Sequence, residues 1–353
     1  MARVVIYRFN NGDTLERRGD AIVACFAEKR SVLSTAPLNG GRRDDLKWIF
    51  NHGGETSGEM KAPTYEGHVA AIASELGLEP EYSSGISTAA LVENVSIKSL
   101  AFEDTTVTAA VTGGIDVNGG RVGEEARWHE RQGNISFVAG TINILLFIDA
   151  NLTEGAMVRS LVTCTEAKTA AIQELLVPSC YSSGLATGSG TDGTIIVTNP
   201  RSKVRLSEAG KHFKLGELIG KTVMAAVKEA LFLETGLCPE RQMDIISRMC
   251  RFGVTEESVK ARLSANGARF EDLAKTFECI RRDRQLVIKT SCYAHILDQL
   301  SWGLIKEDDA LRAATVLLAL MGMDTTELCK CNTDAHKSMV NAYLNGVLYL
   351  MLK

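Results

Sequence analysis

The chain has 353 residues, enough for two domains and for a buried core that folds without a metal or disulfide staple. Hydrophobic residues make up 45% and charged residues 23%, and the formal net charge is −4, so neither nucleic acid nor an anionic membrane is expected as the main partner. The first apolar run is broken by Arg8, Asn10, Asn11 and Asp13, the longest apolar stretches (142–148 and 313–323) are too short to span a bilayer, and nine scattered cysteines suit reduced thiols in a cytoplasmic protein.

Taken in chain order, stretches rich in Val, Ile and Thr predict strands at 4–9, 21–26, 32–35, 89–102 with a break, 107–112 and 143–148. Helices are expected at 43–50 and 65–76, separated by a glycine-rich loop over 52–63. Helical spacing of apolar residues then predicts a long helix over 153–176, with Thr153 as its N-cap, and another over 215–233. Between them lie a Gly-rich loop, 182–193, and a short strand, 194–198. Strands without strict alternation with helices indicate an α+β fold, mainly antiparallel sheets layered with two long helices. No dinucleotide or phosphate-loop glycine fingerprint is present.

Gly236-Leu237-Cys238-Pro239 carries a helix stop followed by a proline, which sets the expected boundary between domains 1–236 and 239–353. The second reads as a smaller all-α domain, with helices at 240–251, 256–265, 270–280, 286–302, 307–321 and 325–352. The helices flanking Gly253 have helix-turn-helix length but no basic recognition face. Cys329, Cys331 and His336 fall short of the usual structural-zinc spacing, and ordinary thiols at a helix end are the simpler reading.

Four segments place small and polar residues where a structural element needs none. They are Leu33-Ser34-Thr35-Ala36-Pro37-Leu38-Asn39-Gly40-Gly41, Gly140-Thr141-Ile142-Asn143-Ile144, Ala186-Thr187-Gly188-Ser189-Gly190-Thr191-Asp192-Gly193, and Gly210-Lys211-His212-Phe213-Lys214-Leu215-Gly216-Glu217-Leu218-Ile219-Gly220. With Thr165-Glu166-Ala167-Lys168-Thr169-Ala170-Ala171 and the run 107–114, they make the chain similar to the adenosylcobinamide amidohydrolase family over residues 20–235. One departure stands out: the family's Gly-Val-x-Asn-Ala-x-Arg-Ala-Gly run is replaced by Gly114-Ile115-Asp116-Val117-Asn118-Gly119-Gly120-Arg121-Val122-Gly123, with an insertion.

The resemblance implies hydrolysis of the amide joining the aminopropanol arm to the corrin ring, giving adenosylcobyric acid for cobalamin salvage or remodelling. A corrinoid is then the small-molecule partner. No metal or other cofactor is expected, because the cobalt is in the substrate. A homo-oligomer is compatible with this. A corrinoid carrier or sensor, or a hydrolase of a related amide, are the alternatives.

Residue chemistry suggests the roles. The loop at Thr187, Gly188 and Gly190 can turn several N–H groups onto a carbonyl oxygen or an oxyanion. Asp192 is a candidate base or a hydrogen-bond partner of the leaving amine, against the bland reading of an Asp that caps its own turn. His212, at a helix start, is a candidate base for water or for a Thr hydroxyl, and Thr191 is a further catalytic candidate. Glu217 is a candidate second acid or base, although Lys221 four residues on reads as a surface pair. Lys214 is either an oxyanion contact or a solvated side chain. Thr141 and Asn143 open an apolar strand as candidate nucleophile and oxyanion donor, or simply satisfy a turn. The resemblance adds substrate contact for Asn39, Gly40 and Glu166, while Lys168 reads as solvated. Asp192→Asn and His212→Ala are each expected to cut turnover at least ~100-fold.

Overall fold

The computed structural model describes residues 2–53, 60–126, 140–326, 328 and 334–353. The chain divides into two compact units, Met1–Tyr181 with Leu185–Cys238, and Ser182–Gly184 with Pro239–Lys353. Residues 54–59 of the 52–63 loop and the Cys329 and Cys331 pair fall outside the described residues.

The first unit holds two sheets. One runs β1 (Arg3–Arg8), β2 (Thr14–Arg18), β3 (Ala21–Cys25), β6 (Trp48–His52), β7 (Ser83–Ser87). The other runs β5 (Gly41–Arg43), β4 (Ser31–Ser34), β14 (Gly193–Thr198), β11 (Ile142–Ile148), β9 (Thr105–Gly113), β8 (Ser96–Phe102). Pairing is antiparallel except for β6 with β7 and β11 with β14. Two short pairs complete the unit, β10 (Gly119–Gly120) with β13 (Gly188–Ser189) and β12 (Asn151–Leu152) with β15 (Arg205–Leu206).

Side-chain alternation along the strands explains the layering. On β3, Ala21 and Val23 face helix α1 (Tyr65–Glu75), while Ile22 and Ala24 face the second sheet. On β11, Leu145 and Phe147 face the first sheet, while Ile144, Leu146 and Ile148 face helices α2 (Glu154–Glu174) and α3 (Lys214–Thr235). Each sheet therefore buries both faces, in the order helix, sheet, sheet, helix pair. The α+β expectation holds: antiparallel pairing dominates, and two long helices cover one face.

The helix expected at 43–50 is absent. The chain forms β5 and β6 there, because Trp48, Ile49 and Phe50 fill a central strand between β3 and β7. The ion pairs Arg42–Asp44 and Arg43–Asp45 join residues two apart, which an extended chain can align and a helix cannot. Strand β7, Ser83-Ser84-Gly85-Ile86-Ser87, carries almost no apolar signal. Its Gly85 is required by close approach, since a Cβ there would lie 2.1 Å from the Phe50 ring.

Cys164 sits in the core under α2, and burial pushes its thiol up to about 12. Timed alkylation of the native chain at pH 8 should modify the exposed Cys180, Cys279 and Cys292 first and reach Cys164 only after denaturant is added. Labelling of Cys164 at the same rate as the exposed thiols would contradict the packing described.

The second unit is helical: α4 (Ile245–Met249), α5 (Glu256–Ala265), α6 (Phe270–Arg281), α7 (Arg284–Ser301), α8 (Glu307–Leu320) and α9 (Ala335–Leu352). The 240–251 and 325–352 helices are shorter than expected. Thr255 and Ser258 form a reciprocal capping box at the start of α5. Buried Tyr293 and Tyr343 satisfy their hydroxyls on the Met339 carbonyl and on Thr290. No described helix is long and apolar enough to cross a membrane.

Candidate active site

Two of the four motif segments, 140–144 and 186–193, converge with Lys168 of the 165–171 run at one end of the two-sheet sandwich, where β11 and β14 begin. Asp192 immediately precedes β14 and is the hub. Its Oδ1 accepts the Ile142 backbone N–H at 2.9 Å and the Ser189 hydroxyl at 2.6 Å. Its Oδ2 accepts the Ser189 N–H at 3.0 Å and an ion-paired hydrogen bond from Lys168 on α2. Lys168 is 9% exposed and the two side chains are 11% and 12% exposed, so the pair lies largely out of water. Glycine is required at 188 for this contact. A Cβ there would come 2.4 Å from Asp192 Oδ2 and 2.8 Å from Lys168 Nζ.

Two threonine hydroxyls lie beside the pair. Thr141 Oγ1 and Thr191 Oγ1 are 2.5 Å apart, and Thr191 also donates to the Gly140 carbonyl at 3.2 Å. Thr141 is buried and Thr191 is exposed, so the hydroxyl pair runs from the core to the surface. Gly140 has φ +109° and packs on Asn118, whose amide donates to the Gly140 carbonyl at 2.9 Å and accepts from the Tyr181 hydroxyl at 2.6 Å.

Behind this lies a buried amide relay between the sheets. Asn143 donates to Asn51 Oδ1 at 2.7 Å and to the Ser87 carbonyl at 2.9 Å, and accepts the Gly193 N–H at 3.0 Å. Asn51 in turn donates to Thr112 at 2.8 Å. Asn143 is thus a structural fastener between β6, β7, β11 and β14, with every polar atom engaged.

Four N–H groups of the glycine loop are engaged within the fold. The N–H groups of Thr187, Ser189, Thr191 and Gly193 go to the Gly120 carbonyl, Asp192, Ser189 Oγ and Asn143. They hold the loop and its carboxylate and do not converge on an open position. Thr187 Oγ1 accepts from Val122 N, and Gly190 is exposed beside Asn118.

Other expected site residues lie apart. Asn39, with φ +50°, staples its turn to the Pro80 and Ser83 carbonyls and accepts from Arg43, and Gly40 packs against the Ala36 carbonyl, where a Cβ would come within 2.3 Å. Helix α3 begins against Phe102, under Lys214, and ends against Gly113 and Gly114 beside the Thr141 strand. His212, Lys214 and Glu217 are therefore at the far end of a helix about 33 Å long from that strand end. His212 is exposed, and no described hydrogen bond joins it to Asp192. Glu217 is held by Lys214 and then Lys221, whose hydrogen bonds bring its carboxyl down to about 2, so it stays ionised near neutral pH. Glu166 pairs with Lys211, both exposed. It points about 200° around α2 from Lys168, away from the Asp192 cluster.

Lys168, the partner of Asp192, is the cluster residue that the sequence reading set aside as solvated. The signal was its spacing: it lies four residues from Cys164 and four from Ile172, both fully buried, so it occupies the apolar stripe of α2. Among the described residues no group of three His, Cys, Asp or Glu is placed to hold a metal.

The fold and this cluster define an α+β domain with a buried lysine–carboxylate pair flanked by hydroxyls. The model of the adenosylcobinamide amidohydrolases matches residues 6–239, and the chain belongs to that amidohydrolase family. It is 34% identical over 231 residues to an uncharacterized protein of Methanocaldococcus jannaschii, covering 62% of this chain and 88% of that one. It is 28% identical over 204 residues to the adenosylcobinamide amidohydrolase of Methanosarcina mazei, covering 56% and 88%. Among solved structures, a Pyrococcus horikoshii protein aligns at 12% identity and a TM-score of 0.31, over 65% of this chain and 83% of that one.

Proposed function

We propose that the chain hydrolyses the amide between the aminopropanol arm and the corrin ring of adenosylcobinamide, releasing adenosylcobyric acid and the amino alcohol. The observation that carries this is the family match across residues 6–239, which contains every motif segment and the whole Asp192 cluster. In this reading the Thr141 and Thr191 hydroxyls receive the carbonyl oxygen. Asp192 takes a proton from the attacking water, which enters at the position where Ser189 now donates, and Lys168 gives a proton to the departing nitrogen. The lysine and carboxylate carry opposite charges before the step, and one proton moves across the amide during it, as general acid–base catalysis requires.

Incubation of the full chain with adenosylcobinamide, followed by mass spectrometry, should show both products. Their absence under all metal conditions overturns the reading, and tight corrinoid binding without turnover would mark a carrier. The departed run 114–123 reaches this cluster through the β10–β13 pair, so the same assay should include related corrinoid amides. Because Asp192 is inside the cluster and His212 is solvent-facing, Asp192→Asn is expected to lose at least ~100-fold in turnover while His212→Ala stays within about threefold of wild type. Steady-state kinetics of both variants checks this. A large loss in His212→Ala would restore the sequence-based assignment.

A further inference from the structure

About 20 Å from the Asp192 cluster, at the carboxyl ends of β11 and β14, the first unit holds a polar cavity of about 230 Å³. Phe9 and Phe147 form part of its wall, their rings 4.5 Å apart. Its deepest polar group is the ion pair Arg30–Asp13, each side chain 2% exposed. Arg30 has no donor to spare. Its five N–H groups go to Asp13 Oδ1 and Oδ2, the Lys29 and Asn11 carbonyls and Asn199 Oδ1. Arg30 therefore offers an anion no free N–H.

Asp149 is different. Its Oδ1 accepts from Asn199 at 2.8 Å and from Asn11 at 3.4 Å, which fixes the carboxylate. Among the described residues no hydrogen bond or ion pair reaches its Oδ2, and no cation neutralises it. A fixed, open carboxylate oxygen beside aromatic faces in a small cavity suits an organic ammonium with a short apolar body. The charge meets the carboxylate and the ring faces, and the hydrocarbon leaves water.

We propose that this cavity binds a small primary amine, with its ammonium on Asp149 Oδ2 and its carbon chain against Phe9 and Phe147. The ammonium site stands on the cavity alone. The choice of probe rests on the reaction proposed above, whose leaving group is an amino alcohol. Binding there would let the released amine act on the enzyme away from the Asp192 cluster.

Calorimetric titration of the full chain with aminopropanol tests this, with propanediol as the uncharged control. Saturable binding of the amine is expected, at least 10-fold tighter than the diol. It should weaken at least 10-fold in Asp149→Asn and vanish in Ala101→Phe, which fills the cavity from β8 with Asp149 intact. If Asp149→Asn fails to fold, Ala101→Phe carries the test. Absence of amine binding, equal binding of the diol, or unchanged binding in Ala101→Phe overturns the proposal. The readout is binding and not turnover, so a chain that cleaves no corrinoid can still pass, and a failure here leaves the reaction assay untouched.

Discussion

Lys168→Met is expected to lower turnover at least ~100-fold and to destabilise the fold by about 3–5 kcal/mol. The stability loss follows from what remains. Asp192 would keep the Ile142 and Ser189 donors but lose its only ion-pair partner among the described residues, in a site where its side chain is 12% exposed. Breaking a buried pair by removing one partner is costly because the stranded charge is poorly solvated. The double variant Lys168→Met with Asp192→Asn should recover part of that loss, since no charge is left uncompensated. Chemical denaturation of the two single variants and the double variant closes the cycle. A double variant as unstable as the sum of the singles would mean that the pair is not coupled. Activity should not recover in the double variant, which separates the catalytic contribution from the structural one.

Gly188→Ala is the second large effect. The added methyl would overlap Asp192 Oδ2 and crowd Lys168 Nζ, and the β10–β13 pairing of Gly120 with Gly188 leaves the backbone little room to retreat. The ion pair must open or the loop must shift. Either outcome displaces the acid and base by an ångström or more, and misplacement on that scale costs ~100-fold. Turnover should fall accordingly with a smaller effect on corrinoid binding, read as a drop in kcat larger than any rise in KM. Wild-type kcat in this variant would show that the Lys168–Asp192 contact is not used in the reaction.

Much of the architecture was legible because burial was periodic. Strand β11 and helices α2 and α3 each show a strong apolar pattern and lie where expected. Residues 43–50 were misread because a central strand buried on both faces shows an apolar run and no alternation, and its flanking charges resemble a helix surface. Strand β7 was invisible because Ser83 and Ser84 are buried as hydrogen-bonded polar groups with no apolar signature; Ser84, for example, donates to the Leu38 carbonyl at 3.0 Å. The site was half legible. Asp192, Thr191 and Thr141 sit in segments that the fold brings together. His212 drew notice for its chemistry, but ring chemistry says nothing about which end of a long helix faces the cluster. Lys168 escaped because a lysine on a helix is ordinarily solvated, and only its place in the buried stripe of α2 betrays it.

The most direct test is a crystal structure of the Asp192→Asn chain with adenosylcobinamide bound. The aminopropanol amide should lie within about 3.5 Å of Lys168 Nζ, with its carbonyl oxygen toward Thr141 and Thr191. A corrinoid whose amide instead rests against His212 and Lys214, at the start of α3, would contradict the account.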